Sequence, residues 1–191
     1  MEKTLILALL TLSLTAGGQE ARAPLALEAI PDDYSLAQAK LDGCVVHEND
    51  DITHGSASFE AFVKKAEKGE KCAVRLVNYY TMEMPFSFGE EQFDADQFPM
   101  MFVEDLVFDG KGYTLRWYEG DQEIVKHYPY LKRYEGSAES FYARYASYIR
   151  YVLTNDNTLT WEQLLAGNGG AAETAAAYEH TVVYTDLIGE P

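Results

Sequence analysis

The sequence predicts an α+β fold: a single antiparallel β-sheet of about five to six strands around a central meander, with helices packed on one face. Three observations predict it. The first is an amphipathic helix, in which Phe59, Phe62, Val63 and Ala66 fall at i, i+3, i+4 and i+7 and share a face. The second is a run of β-branched and aromatic segments from Met101 to Tyr134. It is punctuated by Asp109-Gly110-Lys111-Gly112 and by Gly120-Asp121, which carry hairpin chemistry. The third is the order of elements: helix, strand, helix, a run of strands, helix, strand. Antiparallel strands that follow one another directly leave the helices to gather on one face.

Each element has a local cause. Ser35 and Gln38 form a capping box for a short helix that Gly43 stops. Cys44 to Glu48 is a short strand, and Asn49 to Gly55 is a polar loop. The helix Ser58 to Lys68 carries Glu60 near its positive end and Lys64, Lys65 and Lys68 near its negative end, and it stops at Gly69. Cys72 to Thr81 is a strand, and an acidic excursion runs from Met82 to Pro99. In the meander, Met101 to Phe108 pairs with Tyr113 to Glu119, whose Tyr113, Leu115 and Trp117 face one way and Thr114, Arg116 and Tyr118 the other. Glu123 to Tyr134 completes the meander, and Pro129 marks an edge or a bulge because it cannot donate to a ladder. Residues 136 to 147 read as a short helix feeding a strand that ends at Thr154, with a turn at Asn155-Asp156-Asn157. Thr160 and Gln163 form a second capping box, and Thr181 to Ile188 is the last strand.

The N-terminus reads as an address. Leu5 to Leu14 is the length of a signal-peptide core, and shorter than the roughly 17–25 apolar residues a spanning helix needs. Ala16, Gly17 and Gly18 suit a signal peptidase, which makes residues 1–18 a signal peptide and 19–33, with Pro24 and Pro31, a tether to one domain at 34–191. Leu14-Thr15-Ala16 also leads toward a lipobox, but Gly17 stands where the lipidated cysteine would be, so a released protein is expected rather than a lipid-anchored one. No other long apolar run is present, and no transmembrane segment is expected.

Roughly 170 residues remain after such a cleavage, enough for one domain with a substantial core. Apolar residues make up 47% and the net charge is −16. That balance argues against nucleic acid and anionic lipid surfaces, both of which call for basic patches. It permits basic proteins and peptides, neutral sugars and divalent cations. The two cysteines, Cys44 and Cys72, are a candidate disulfide in an oxidising compartment, closing a loop of roughly 28 residues worth on the order of 3 kcal/mol. If their strands are not neighbours, both are small buried hydrophobes.

Several stretches together resemble a known family. They are Asp42-Gly43-Cys44-Val45-Val46-His47-Glu48, Val74-Arg75-Leu76-Val77 with Tyr79-Tyr80-Thr81, and Asp105-Leu106 with Asp109-Gly110. Tyr130-Leu131, Tyr134-Glu135-Gly136, Arg150-Tyr151-Val152-Leu153, Thr160-Trp161-Glu162 and Tyr184-Thr185-Asp186-Leu187 extend the set. They resemble an uncharacterised family of small secreted proteins and lipoproteins of Gram-positive gut bacteria. The shorter core, roughly Gly43 to Glu119, also resembles a domain of unknown function in Bacillus-type lipoproteins. The resemblance implies a compartment outside the cytosol and no catalytic residue.

Catalytic motifs are sparse. There is no G-x-S-x-G elbow, no H-E-x-x-H, no C-x-x-C and no EF-hand loop. His47, Asp50, Asp51 and His54 are the densest candidate metal ligands, though a solvated acidic loop accounts for them more simply. Glu90, Glu91, Asp94 and Asp96 form a second acidic patch suited to calcium. No cofactor is implied. Nine of the 14 tyrosines lie between Tyr113 and Tyr151. Tyrosine joins a flat apolar face to a polar tip, and alternation along a strand prevents one core from burying every ring. The expected function is therefore a secreted, non-catalytic binding module that contacts a protein, peptide or glycan through Trp117, Tyr118, Tyr128 and Tyr130. The alternatives are a secreted hydrolase with a non-standard site around His47, His54 or His127, and a structural protein of the envelope.

Overall fold

The computed structural model describes residues 25–81, 98–137, 145–168 and 179–189. The signal peptide at 1–18, the first part of the tether, the acidic excursion with its calcium candidates and residues 138–144 of the helix expected at 136 to 147 lie outside them, while Gly136 and Ser137 end one strand and Ser147 begins another. Among the described residues, no helix is long and apolar enough to cross a membrane.

The fold is α+β, but its strands form two sheets. Helix α1 (Leu36–Leu41) begins as expected, with the Ser35 hydroxyl accepting from the Gln38 amide at 3.2 Å. Strand β1 (Val45–Glu48) then turns directly into β2 (Asp51–His54), so the expected polar loop is a hairpin. Asn49 and Asp50 both take positive φ, 52° and 68°, which is the backbone of a two-residue hairpin turn. β2 shows no apolar alternation because it is a half-exposed edge strand with Ile52 its one apolar residue.

Gly55 leads into helix α2 (Ser56–Glu67) at φ +78°, and a Cβ there would lie 2.5 Å from the Cys44 carbonyl. Phe59, Phe62 and Ala66 are buried, as their spacing predicts. Gly69 and Glu70 donate to the last carbonyls of α2. The helix returns the chain so that β3 (Cys72–Tyr80) runs parallel to β1, with Val45 beside Leu76. β4 (Met100–Phe108), β5 (Tyr113–Glu119) and β6 (Gln122–Tyr128) complete the meander. Asp109 holds its first turn by accepting from the Lys111 and Gly112 amides at 2.8 and 2.9 Å. The strand order is β2-β1-β3-β4-β5-β6, mixed rather than purely antiparallel.

Pro129 is where the chain changes sheets. The stretch from Glu123 to Tyr134, read as one strand, is two: β6 ends at Tyr128, and β7 (Tyr130–Ser137) begins a separate antiparallel sheet of order β7-β8-β9. β8 is Ser147–Thr154 and β9 is His180–Ile188. β6 and β7 are both edge strands, the positions a proline tolerates. Helix α3 (Trp161–Asn168) follows β8, and Thr160 and Gln163 exchange the two bonds of the capping box.

The inner face of the six-stranded sheet carries Val45, Leu76, Leu106 and Leu115. Against it lie Phe59 and Phe62 of α2 and Leu153, Val183 and Tyr184 of the smaller sheet. Helices occupy both faces, not one: α1 covers Val46 and Val77 on the outer face through Ala39 and Leu36. The two cysteines end on opposite faces, which overturns the disulfide. Cys44 belongs to the outer cluster and Cys72 to the inner one, and both are free. Cys44 is level with Arg75, three residues and about 10 Å along β3 from Cys72, beyond disulfide reach.

Candidate functional site

The last part of the expected tether is docked rather than loose. A 3-10 turn at Leu27–Ala29 lies across β4 and β5 on the outer face, and Leu27 is buried there. Leu27 alone supplies the anchor, since Leu25 and Ala26 are exposed. Between this strap and the strands is an open groove of about 570 Å³. Leu27, Ile30, Met101, Val103 and Tyr118 form its apolar lining. Glu28 and Asp32 from the strap and Asp121 from the β5–β6 turn add carboxylates, and no Lys, Arg or His among the described residues lines it. Burial, Glu123 and Glu28 together raise the Tyr118 hydroxyl above its ordinary range.

On the other side of the strap is a second groove of about 400 Å³ with the opposite character. Its floor is an ion network. Arg75 grips Asp105 with two bonds of 2.7 and 3.0 Å, and Arg116 reaches the same carboxylate at 3.3 Å and Glu123 at 3.6 Å. This groove thus carries two arginines bonded to Asp105, and it shares Glu28 with the first groove.

A third groove, about 300 Å³, separates α2 from the smaller sheet. Tyr151, Tyr184 and Phe59 line it, with Glu60, Arg133 and Asp186 around them. Asp186 is held above the usual carboxylate range by burial and by Asp51.

The expected binding residues do not share one surface. Tyr118 lies on the outer face and in the first groove. Trp117 borders the same groove, but its ring turns inward against the core, with Lys126 5.6 Å above it and Glu119 accepting from its Nε1 at 3.0 Å. Tyr128 is a core residue, 2% exposed, whose hydroxyl meets that of Thr181 at 2.7 Å. It closes the gap between the sheets and cannot be a contact surface. Tyr130 is exposed at the start of β7, on the other sheet.

The metal candidates also diverge. His47 points inward, its Nε2 accepting from the Thr185 amide at 3.2 Å and its ring edge-on to Tyr184. Burial holds its pKa down at about 4. Asp51 Oδ1 accepts from the Leu187 amide at 2.9 Å, Asp50 accepts from the Tyr80 hydroxyl at 3.0 Å, and His54 is exposed. Among the described residues, no three His, Cys, Asp or Glu side chains converge as ligands. His127, exposed on β6, contacts Thr114 through Nδ1 at 3.1 Å, and β6 is the opposite edge of the sheet from the β2 that carries His54. The three histidines therefore form no common site.

Sequence reasoning missed the strap, Asp121 and Asp186. The apolar triplet between two prolines was the signal for the strap. Nothing in the local pattern marked either acid. No family model, curated protein or solved structure matches the chain.

Proposed function

We propose that this chain is a secreted, non-catalytic binding module that takes a peptide segment of a protein partner into the outer-face groove. The observation that carries the reading is the groove itself: an open channel with an apolar floor, one tyrosine and polar rims. A peptide is favoured by the aliphatic floor of Leu27, Ile30, Met101 and Val103, which suits apolar side chains better than the hydroxyls of a sugar. Panning a displayed random-peptide library on the full chain tests this. Recovered binders lose about ten-fold in affinity for Tyr118→Ala at unchanged circular dichroism. Binders indifferent to Tyr118→Ala and to Val103→Arg would remove the groove from the reading.

One observation favours a hydrolase instead. Asp186, with its raised pKa, shares the third groove with Glu60, an arrangement compatible with acid and base roles. Turnover of a chromogenic glycoside or ester panel that disappears in Asp186→Asn would decide for it.

A further inference from the structure

Resting on the groove as the binding surface, we infer that its occupant is a basic peptide, seated by a lysine or arginine side chain laid against Tyr118 and ringed by Glu28, Asp32 and Asp121. Three observations carry the inference. Among the described residues, the groove is lined by three carboxylates and by no cation. Its neighbour across the strap shares Glu28 but holds two arginines, Arg75 and Arg116, both bonded to Asp105. The same face of the same sheet thus has one groove that carries its own cations and one that, among the described residues, carries acids alone. None of Glu28, Asp32 and Asp121 is in an ion pair among the described residues.

The shape agrees with the charge. Leu27, Ile30, Met101 and Val103 offer an apolar floor to the methylene stem of a long cationic side chain. Tyr118 offers a ring face to its charged end. The carboxylates come from two separate elements, the strap and the β5–β6 turn, so a cation between them is approached from both sides. A volume of about 570 Å³ exceeds one side chain and suits a short segment of peptide. The net charge of −16 adds long-range attraction for the same class of partner.

The test is an amide NMR titration of the full chain with two capped hexapeptides. One is Gly-Ala-Lys-Ala-Lys-Gly, and the other carries norleucine in place of both lysines. The lysine peptide is expected to shift the amides of 27–30, 32, 101–103 and 118–121. It should bind about ten-fold tighter than the norleucine peptide and weaken as salt rises. The triple variant Glu28→Gln, Asp32→Asn, Asp121→Asn should lose about ten-fold. A control triple of exposed acids elsewhere, Glu70→Gln, Glu135→Gln, Glu179→Gln, should lose less than about two-fold.

Equal losses in both triples would reduce the attraction to bulk charge and overturn the inference. Equal binding of both peptides in the groove would overturn the basic ligand while leaving the groove reading standing. No shift at the groove with either peptide, together with indifference to Tyr118→Ala, would overturn both. Saturation of the same amides by calcium chloride alone at micromolar levels would replace the peptide with a metal ion and likewise overturn it.

Discussion

The two sheets are held by different means. Within the six-stranded sheet, each strand is bonded to the next along a backbone ladder, and β3 and β4 pair over nine consecutive residues. Between that sheet and the three-stranded one, the observed bonds come from side chains. Tyr128 meets Thr181, His47 accepts from the Thr185 amide, Asp51 accepts from the Leu187 amide, and Phe59 stacks on Tyr184 at 4.3 Å. A ladder shares its load over many equivalent bonds, whereas this seam concentrates it in four or five residues. The smaller sheet should therefore be the part that single substitutions can detach.

The largest effect should come from Phe59→Ala. The ring is 1% exposed and touches both Tyr151 and Tyr184, so its loss leaves a cavity at the seam. Urea unfolding should register a cost of about 3–5 kcal/mol. Hydrogen exchange should then show β8 and β9 amides opening before those of β3 and β4. Simultaneous opening of both sheets would break the distinction.

Acid should act on the same seam. His47 is held near 4 from an ordinary 6.5, so it stays neutral in the fold. Below 6.5 the unfolded chain takes up a proton that the folded one refuses. Its stabilising contribution is complete above 6.5, declines as pH falls, and is gone below about 4. The total is on the order of 3 kcal/mol. His47→Gln, which retains an acceptor, should flatten the stability profile across that window when urea midpoints are measured at several pH values.

A smaller cost, about 1 kcal/mol, is expected for Tyr128→Phe, which removes the hydroxyl bridge to Thr181 and keeps the buried ring. A loss above about 3 kcal/mol would mean the hydroxyl does more than one bond can do. The smallest effect should be that of reductant. Cys44 and Cys72 lie on opposite faces, so dithiothreitol should change neither the mass nor the melting temperature. Two daltons gained on reduction would contradict the placement of both residues.

Legibility in the sequence tracked how local each cause was. The Phe59–Ala66 stripe, the Ser35 cap, the Thr160 box and the Asp109 turn depend on residues within one or two turns of chain and were readable, although Gln38 turns its side chain to Asp42 rather than back to Ser35. The division into two sheets hangs on Pro129, which means the same thing locally at an edge as at a crossing between sheets. β2 was hidden because a half-exposed edge strand need not alternate. Tyr128 was misread because burial of a tyrosine depends on a partner such as Thr181, 53 residues away. The groove was illegible for the same reason, since its acids come from positions 28, 32 and 121.

The two seam bonds to Thr185 and Leu187 have a consequence beyond joining sheets. β9 is an edge strand, and an edge strand offers unpaired amides to any other chain that can lie alongside it. Here two alternate donors are already taken by acceptors, an imidazole nitrogen and a carboxylate oxygen, that come from β1 and β2. They act as guards against self-association: a second copy seeking to extend the sheet finds those positions occupied. An imidazolium has no lone pair to offer, so acid would leave the buried Thr185 amide without its acceptor and loosen that end of the cover over β9.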